Sequence, residues 1–350
     1  MARKKYYDIT AMLETKAQYM MLLGQRSNGK SYQVKMTILS NAYKTGRKFV
    51  YLRRWKEDIK QKSVLAYFGD MPIDKITKGE WEGIKCWNGD IYFYRIEEGE
   101  EVKSKSIGRY CALNESERYK SWTFIDYDYI VFEEFITDKV YLVDEPRQLQ
   151  QFVSTVARNE TMTVFLVGNT LSRVCPYFNE WCLDGVLKQK QGTIEIYHHH
   201  VKDNVIDIAV EYCAKANTEN KMFFGQSAKQ IITGEWDTVD VPKLPRKQYE
   251  YEKVYELLLT YQKFSFVIEL LIEPQNGGKL IHIYPFTGNR EILRKITNEF
   301  SDLPNITSKL DISKRPEQYM IDCFRLNKVC YSDNMTGSDF KNVMNVFKIW

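Results

Sequence analysis

The sequence contains no apolar run of about 18 or more residues, which excludes a membrane-spanning helix. No long apolar region follows the basic stretch Met1–Tyr7, so nothing there reads as a secretory signal. No C-x-x-C pair occurs. The 7 cysteines (Cys86, Cys111, Cys175, Cys182, Cys213, Cys323 and Cys330) are scattered without metal spacing, which fits small core residues in a reducing cytoplasm. Like charges form no block. The 50 Lys and Arg and 46 Asp and Glu are interspersed and leave a net charge of +4, which permits nucleic-acid binding without demanding it. There is no internal repeat and no stretch polar enough to be disordered. What is present is 350 residues with 44% hydrophobic and 14% aromatic content, enough for a sizeable core in two domains, or in one large domain with an appendage.

The strongest local signal is Gly24-Gln25-Arg26-Ser27-Asn28-Gly29-Lys30-Ser31, which fits G-x-x-x-x-G-K-[ST], the P-loop. Gly24 and Gly29 allow a tight turn in which successive N–H groups point inward at phosphate oxygens. Lys30 brings a point charge to the β- and γ-phosphates, and Ser31 offers a hydroxyl to Mg²⁺ at a helix N-terminus that favours anions. The context agrees: an apolar strand, Tyr19–Leu23, precedes the loop, and a helix-compatible run follows it. A plain glycine-rich turn would not explain why Lys and Ser follow the second glycine.

Along the chain, residues 1–18 read as a helix or arm, 30–44 as a helix, and Lys48–Leu52 as a buried strand ending in Arg53 and Arg54. Polar ends on buried strands mark the ligand-binding edge of open α/β sheets. Residues 55–80 look helical and charged. Ile84–Trp87 and Asp90–Tyr94 flank Asn88-Gly89, a hairpin inserted at the sheet edge. Tyr127–Phe132, Thr163–Val167 and Thr193–Tyr197 read as further strands, with a helix over 144–158 whose first turn tolerates Pro146. Alternating strands and helices predict an α/β fold with a mostly parallel sheet in three layers. Residues 203–235 look helical and polar, a linker subdomain, and Val241–Pro245 looks like an exposed boundary. A hairpin over 265–285 and two helical stretches make a small α+β domain. The expected division is therefore 1–202, 203–245 and 246–350.

Ile130–Phe132 followed by Glu133 and Glu134 matches a Walker B strand with a catalytic glutamate. The first carboxylate holds Mg²⁺ and the second orients and deprotonates water. Glu133 stands where Asp is usual, one methylene longer, so coordination through water is plausible. A strand end with two solvated acids is the plainer alternative. Arg26 is positioned to meet the γ-phosphate or the glutamate pair, and Arg158 is a candidate to reach a neighbour's nucleotide. On sequence alone a surface ion pair explains Arg158 better. Arg118 and Lys120 are weaker candidates for that task, and Arg53 and Arg54 for positioning the adenine side or a loop. Asn169 ends a strand where a sensor amide would sit, though a lone Asn after Gly is more often a turn residue. His198 and His200 share a face of a strand, but Glu195 points away and Asp203 lies past the strand end, so a polar strand end is favoured over a metal site.

Together these features resemble the DNA packaging ATPase of small, protein-primed, tailed phages of the Bacillus podovirus type, related to terminase large subunits. The residues that carry the resemblance are the loop with arginine at its third position, Phe49–Arg54, Ile130–Phe135, Thr155–Asn159, Asn169 and Pro176–Phe178. They cover about residues 19–180 well and the C-terminal part only in outline. The resemblance implies an ASCE-type ATPase taking ATP and Mg²⁺, with Gly24, Gln25, Arg26, Ser27, Asn28, Gly29, Lys30 and Ser31 around the phosphates. It implies Ser31 and Glu133 at the metal, Glu134 as the catalytic base, and Arg158, with Lys120 or Arg118, acting in trans. It also implies a homopentameric ring in the host cytoplasm, transiently at the portal vertex of a procapsid, translocating double-stranded DNA; in that family a structural RNA can bridge motor and capsid. The C-terminal domain would be RNase-H-like without nuclease chemistry, since its leading hairpin offers only Glu269 and Glu273, and would bind nucleic acid or capsid. A terminase that also cleaves DNA, and a nucleotide-dependent assembly switch with little turnover, remain alternatives. No helicase-type series of motifs follows the Walker B strand.

Overall fold

The computed structural model describes residues 6–158, 161–202, 204–214, 235–236, 238–288 and 290–350. The chain begins with a short helix, α1 (Thr10–Glu14), then β1 (Tyr19–Gly24), α2 (Lys30–Thr45) and β2 (Lys48–Arg53). The stretch over 55–80, expected to be helical, is broken into a 3-10 turn, α3 (Gln61–Phe68) and α4 (Ile73–Ile76). Pro72 lies between the two helices, and the residue before proline is pushed out of helical geometry. Then follow β3 (Gly83–Trp87), β4 (Asp90–Glu97), β5 (Glu100–Lys103), β6 (Gly108–Ala112), α5 (Ser116–Tyr119), β7 (Tyr127–Glu133), α6 (Glu145–Ala157) and β8 (Thr163–Asn169). The first sheet closes with α7 (Pro176–Glu180), β9 (Thr193–Val201) and β10 (Asn204–Tyr212).

These ten strands form one sheet in the order β3-β4-β6-β2-β7-β8-β1-β10-β9, with β5 paired to β4. From β6 through β10 every neighbouring pair is parallel. The β3–β4 hairpin and β9 are antiparallel additions at the two edges. The parallel strands are apolar on both faces because both faces are covered. Met20 and Leu22 of β1 pack with Val34, Ile38 and Leu39 of α2, whereas Met21 and Leu23 pack with Leu149 and Phe152 of α6. Alternation along one strand thus feeds two separate cores, giving three layers.

Two expectations fail between residues 203 and 245. Residues 204–212, read as helical, are β10, paired parallel to β1 and antiparallel to β9. Ile208, Ala209 and Val210 are buried there, so interior packing outweighs the acids Asp207 and Glu211 that gave the stretch its polar look. The first sheet therefore continues past residue 202 to Tyr212. Residues 215–234 lie outside the described residues. Val241 was expected in an exposed boundary but is buried in the C-terminal core, its methyls against Gly337.

A second sheet follows, built of β11 (Glu252–Tyr261), β12 (Phe264–Ile272), β13 (Lys279–Pro285), β14 (Lys295–Thr297), β15 (Ile306–Thr307) and β16 (Val329–Tyr331). Its order is β15-β14-β11-β12-β13-β16. The antiparallel β11–β12–β13 meander is extended by parallel strands on both sides. β11 was not read from the sequence: its Leu257–Leu259 run hides the two-residue alternation. Helices α8 (Arg315–Arg325) and α9 (Asn334–Val346) supply Met320, Phe340 and Val343 to a third core. Val174, five residues past β8, enters that core as well, and Arg173 pairs with Asp339 at 2.9 Å.

Candidate nucleotide site

Because β7, β8 and β1 are parallel neighbours, their C-terminal ends open on one edge of the sheet. The register aligns Gly24 with Asn169, and Glu133 with Val167. The glycine loop, the two glutamates and Asn169 therefore meet, although they are far apart in sequence. They line a cavity of about 630 Å³ together with Tyr6, Tyr32 and Lys35. A second cavity of about 350 Å³ adjoins it and shares Arg26, Glu133, Glu134 and Asn169.

The loop curls because Gly24 (φ +142°) and Gly29 (φ +102°) adopt backbone that side-chain-bearing residues avoid. Lys30 opens α2 and is buried. Its Nζ donates to the Gln25 carbonyl at 2.7 Å, to Asn28 Oδ1 at 3.2 Å and to Asn169 Oδ1 at 3.5 Å. Burial holds its ammonium below the ordinary value, with the thiol of Cys213 and the carboxylate of Glu133 opposing. Asn28 is buried with its Nδ2 lacking a partner. Such a donor costs about 1–3 kcal/mol unless an acceptor arrives, and a phosphate oxygen is one. Ser27 and Gln25 complete the loop, and Arg26 projects into both cavities without an ion-pair partner among the described residues.

Glu133 is buried at the end of β7. Burial pushes its carboxyl up, opposed by hydrogen bonds from Tyr67 and Ser31 and by the charge of Arg53. Tyr67 Oη donates to Glu133 Oε1 at 2.7 Å. Glu134, at φ +56°, turns the other way, and its carboxylate meets Arg53 Nη2 at 2.6 Å rather than Arg26. Arg54, buried beside it, donates to the carbonyls of Glu134 (3.1 Å) and Phe135 (2.6 Å) and forms a bidentate pair with Glu145 at 2.7 and 2.9 Å. Tyr177 donates to the same Glu145 at 2.9 Å. The backbone after Glu133 is thus pinned from below.

Other candidates lie elsewhere. Arg158 ends α6, strained at φ +48°, and its Nη2 donates to the Trp122 carbonyl at 3.1 Å. That contact brings it beside the segment carrying Arg118 and Lys120, which pair with Glu115 (2.8 Å) and Glu117 (2.7 Å). None of the three lines either cavity. Asn159 and Asp203 lie outside the described residues. His198 Nδ1 is 2.7 Å from Asp207 Oδ1 on the neighbouring strand β10. The sequence reading missed Tyr67, for which no motif exists, and the Arg54–Glu145–Tyr177 network, whose members are 32 to 123 residues apart.

The fold and this edge define an α/β protein with a parallel-rich sheet and a cavity at the carboxyl ends of the strands. It is similar across 97% of each chain to the bacteriophage Phi-29 viral genome packaging motor assembly, with a TM-score of 0.56 at 20% identity. Over residues 1–219 it matches the family model for the podovirus DNA encapsidation protein (Gp16), and the chain belongs to that family. It is 28% identical over 187 residues to the DNA packaging proteins of Bacillus phages phi29 and PZA. That alignment takes in 51% of this chain, and the chain spans about half the length of these curated relatives.

Proposed function

We propose that this chain is an ATP-driven motor that moves double-stranded viral DNA through a portal into a procapsid in the host cell. The observation that carries the proposal is the meeting of the glycine loop, Lys30 and Ser31 with Glu133 and Glu134 at one sheet edge. The names of the phi29 and PZA relatives, DNA packaging proteins, supply the biological context. In this reading residues 24–31 are a P-loop. Its backbone N–H groups and Lys30 hold the phosphates, Lys30 exchanging the Gln25 carbonyl for a phosphate oxygen.

Ser31 and Glu133 suit Mg²⁺: both are hard oxygen donors, and that ion commonly takes one or two carboxylates plus substrate phosphates and water. Among the described residues no cluster of three or more His, Cys, Asp or Glu forms a cage, so phosphate would complete the shell. When bound, the ion would neutralise charge on the transferring phosphoryl group. Glu134 orients and deprotonates the attacking water after leaving Arg53. Arg26 steadies the γ-phosphate. Arg158 and Lys120, outside their own subunit's cavities, act on the neighbour's nucleotide in a ring. A pentamer and a bridging structural RNA follow from the same resemblance. The nucleotide-binding unit extends through β10, and the C-terminal unit, with its meander flanked by parallel strands, serves as a nuclease-like module for nucleic-acid or capsid contact. Its Glu269 is already engaged by Gln248 (2.5 Å) and Tyr284 (2.8 Å), which favours binding over DNA cleavage.

The test mixes two variants, Glu134→Gln and Arg158→Ala, each expected to be inactive alone in DNA-stimulated ATP hydrolysis. Mixing restores hydrolysis if an Arg158→Ala subunit borrows arginine from its Glu134→Gln neighbour. Co-assembly without recovery rules out the trans role of Arg158.

A further inference from the structure

Glu133 stands at a position where the shorter Asp is usual, and its extra methylene adds a rotatable bond. A carboxylate that must meet a metal at a set distance gains from a partner that removes that freedom. The partner present is Tyr67. Its hydroxyl donates to Oε1 of Glu133 at 2.7 Å.

Tyr67 is itself held on several sides. Its ring stacks on Tyr51 of β2, centroids 4.3 Å apart and planes 20° apart, and meets Phe68 edge-on at 4.9 Å. Lys35 Nζ donates to the Tyr67 carbonyl at 2.7 Å and lies 4.8 Å from the ring centroid. The ammonium of Lys35 also pairs with Asp70. Lys35 follows Ser31 by four residues on α2, so both face the same side of the helix. Helix α2 therefore braces Glu133 through Lys35 and Tyr67. Tyr67 does not line the nucleotide cavity, whereas Glu133, Ser31 and Lys35 do. It stands behind the carboxylate, not against a ligand.

We infer that Tyr67 is a positioning residue that locks the long side chain of Glu133 in the orientation from which its free oxygen meets a divalent cation at the nucleotide phosphates. This rests on the nucleotide-site reading above. Removing the hydroxyl leaves the stacked ring in place but lets the carboxylate swing.

The experiment uses the full chain, with calorimetric titration of ADP at stepped Mg²⁺ concentrations and without Mg²⁺. In Tyr67→Phe the Mg²⁺ needed for tight ADP binding rises by about 10- to 100-fold, while metal-free ADP affinity and the melting temperature stay at wild-type values. Glu133→Gln shows a similar loss, and the double variant loses no more than Glu133→Gln alone, since both act through one carboxylate. A Mg²⁺ dependence in Tyr67→Phe superimposable on wild type overturns the inference. So does an additive loss in the double variant, which would place the action of Tyr67 elsewhere, or a loss of metal-free ADP binding, which would place it on the loop. Wild-type protein that binds no ADP under any condition would sink the nucleotide-site reading itself, a distinguishable failure.

Discussion

The guanidinium of Arg53, the last residue of β2, lies 2.6 Å from the carboxylate of Glu134, the first residue after β7. β2 and β7 are parallel neighbours, so their polar ends come side by side. A carboxylate held by arginine is not free to turn toward a water molecule, so the proposed base can act only once this pair parts.

Replacing Arg53 by Gln tests this restraint. A partly exposed pair is worth about 0.2–1 kcal/mol. Freeing Glu134 is therefore expected to raise DNA-free ATP hydrolysis by up to about fivefold, and to shrink the ratio by which DNA stimulates it. A lower DNA-free rate in a folded variant would mean instead that Arg53 assists the reaction.

Glu145 is the buried counter-charge of Arg54, with both side chains almost wholly inaccessible. Glu145→Ala leaves a buried guanidinium uncompensated, at a cost of about 3–5 kcal/mol. It also releases the carbonyls of Glu134 and Phe135 that Arg54 holds. A large drop in the urea midpoint is expected, and Glu145→Gln, which keeps the acceptor oxygen, should recover part of it. An alanine variant as stable as wild type would show that the network carries no stability.

Asp339 gives a pH signature for the junction between the two sheets. Burial raises its carboxyl from 3.8 to about 6, against the opposing charge of Arg173 and with Asp333 adding to the rise. The folded state therefore binds a proton more tightly than the unfolded chain does. Stability from this group is fully present below about pH 4 and falls as pH rises to about 6, by roughly 3 kcal/mol if no other group intervenes. In Asp339→Asn this descent is lost, so the stability difference between wild type and variant changes by that amount between about pH 4 and pH 6. Parallel profiles would assign the dependence to other groups.

Part of the architecture was legible without coordinates because its signals are local. β1, the glycine loop and α2 announce themselves within 27 residues, Tyr19–Thr45, and the hairpin at Asn88-Gly89 rests on a two-residue turn rule. β10 did not announce itself. Its acids suggest a surface helix, and only pairing with β1 and β9 makes a strand of it. Val241 was misread for a similar reason: the two prolines after it suggest an exposed linker, yet the groove beside Gly337 takes its side chain.

The candidate site divides the same way. Residue identity within Gly24–Ser31, and the two acids after an apolar strand, determine which groups are available for phosphate and metal chemistry, because each task demands a particular functional group at close spacing. Which groups engage one another was decided by tertiary structure alone. Glu134 pairs with Arg53 rather than Arg26 because β2 adjoins β7. Glu133 is held by Tyr67 because α3 folds back beside α2. Arg158 lies beside the segment carrying Lys120 because α6 ends against Trp122. Hydrogen bonds and ion pairs depend on distances of a few ångströms between elements, and chain order does not encode those distances until the sheet has assembled.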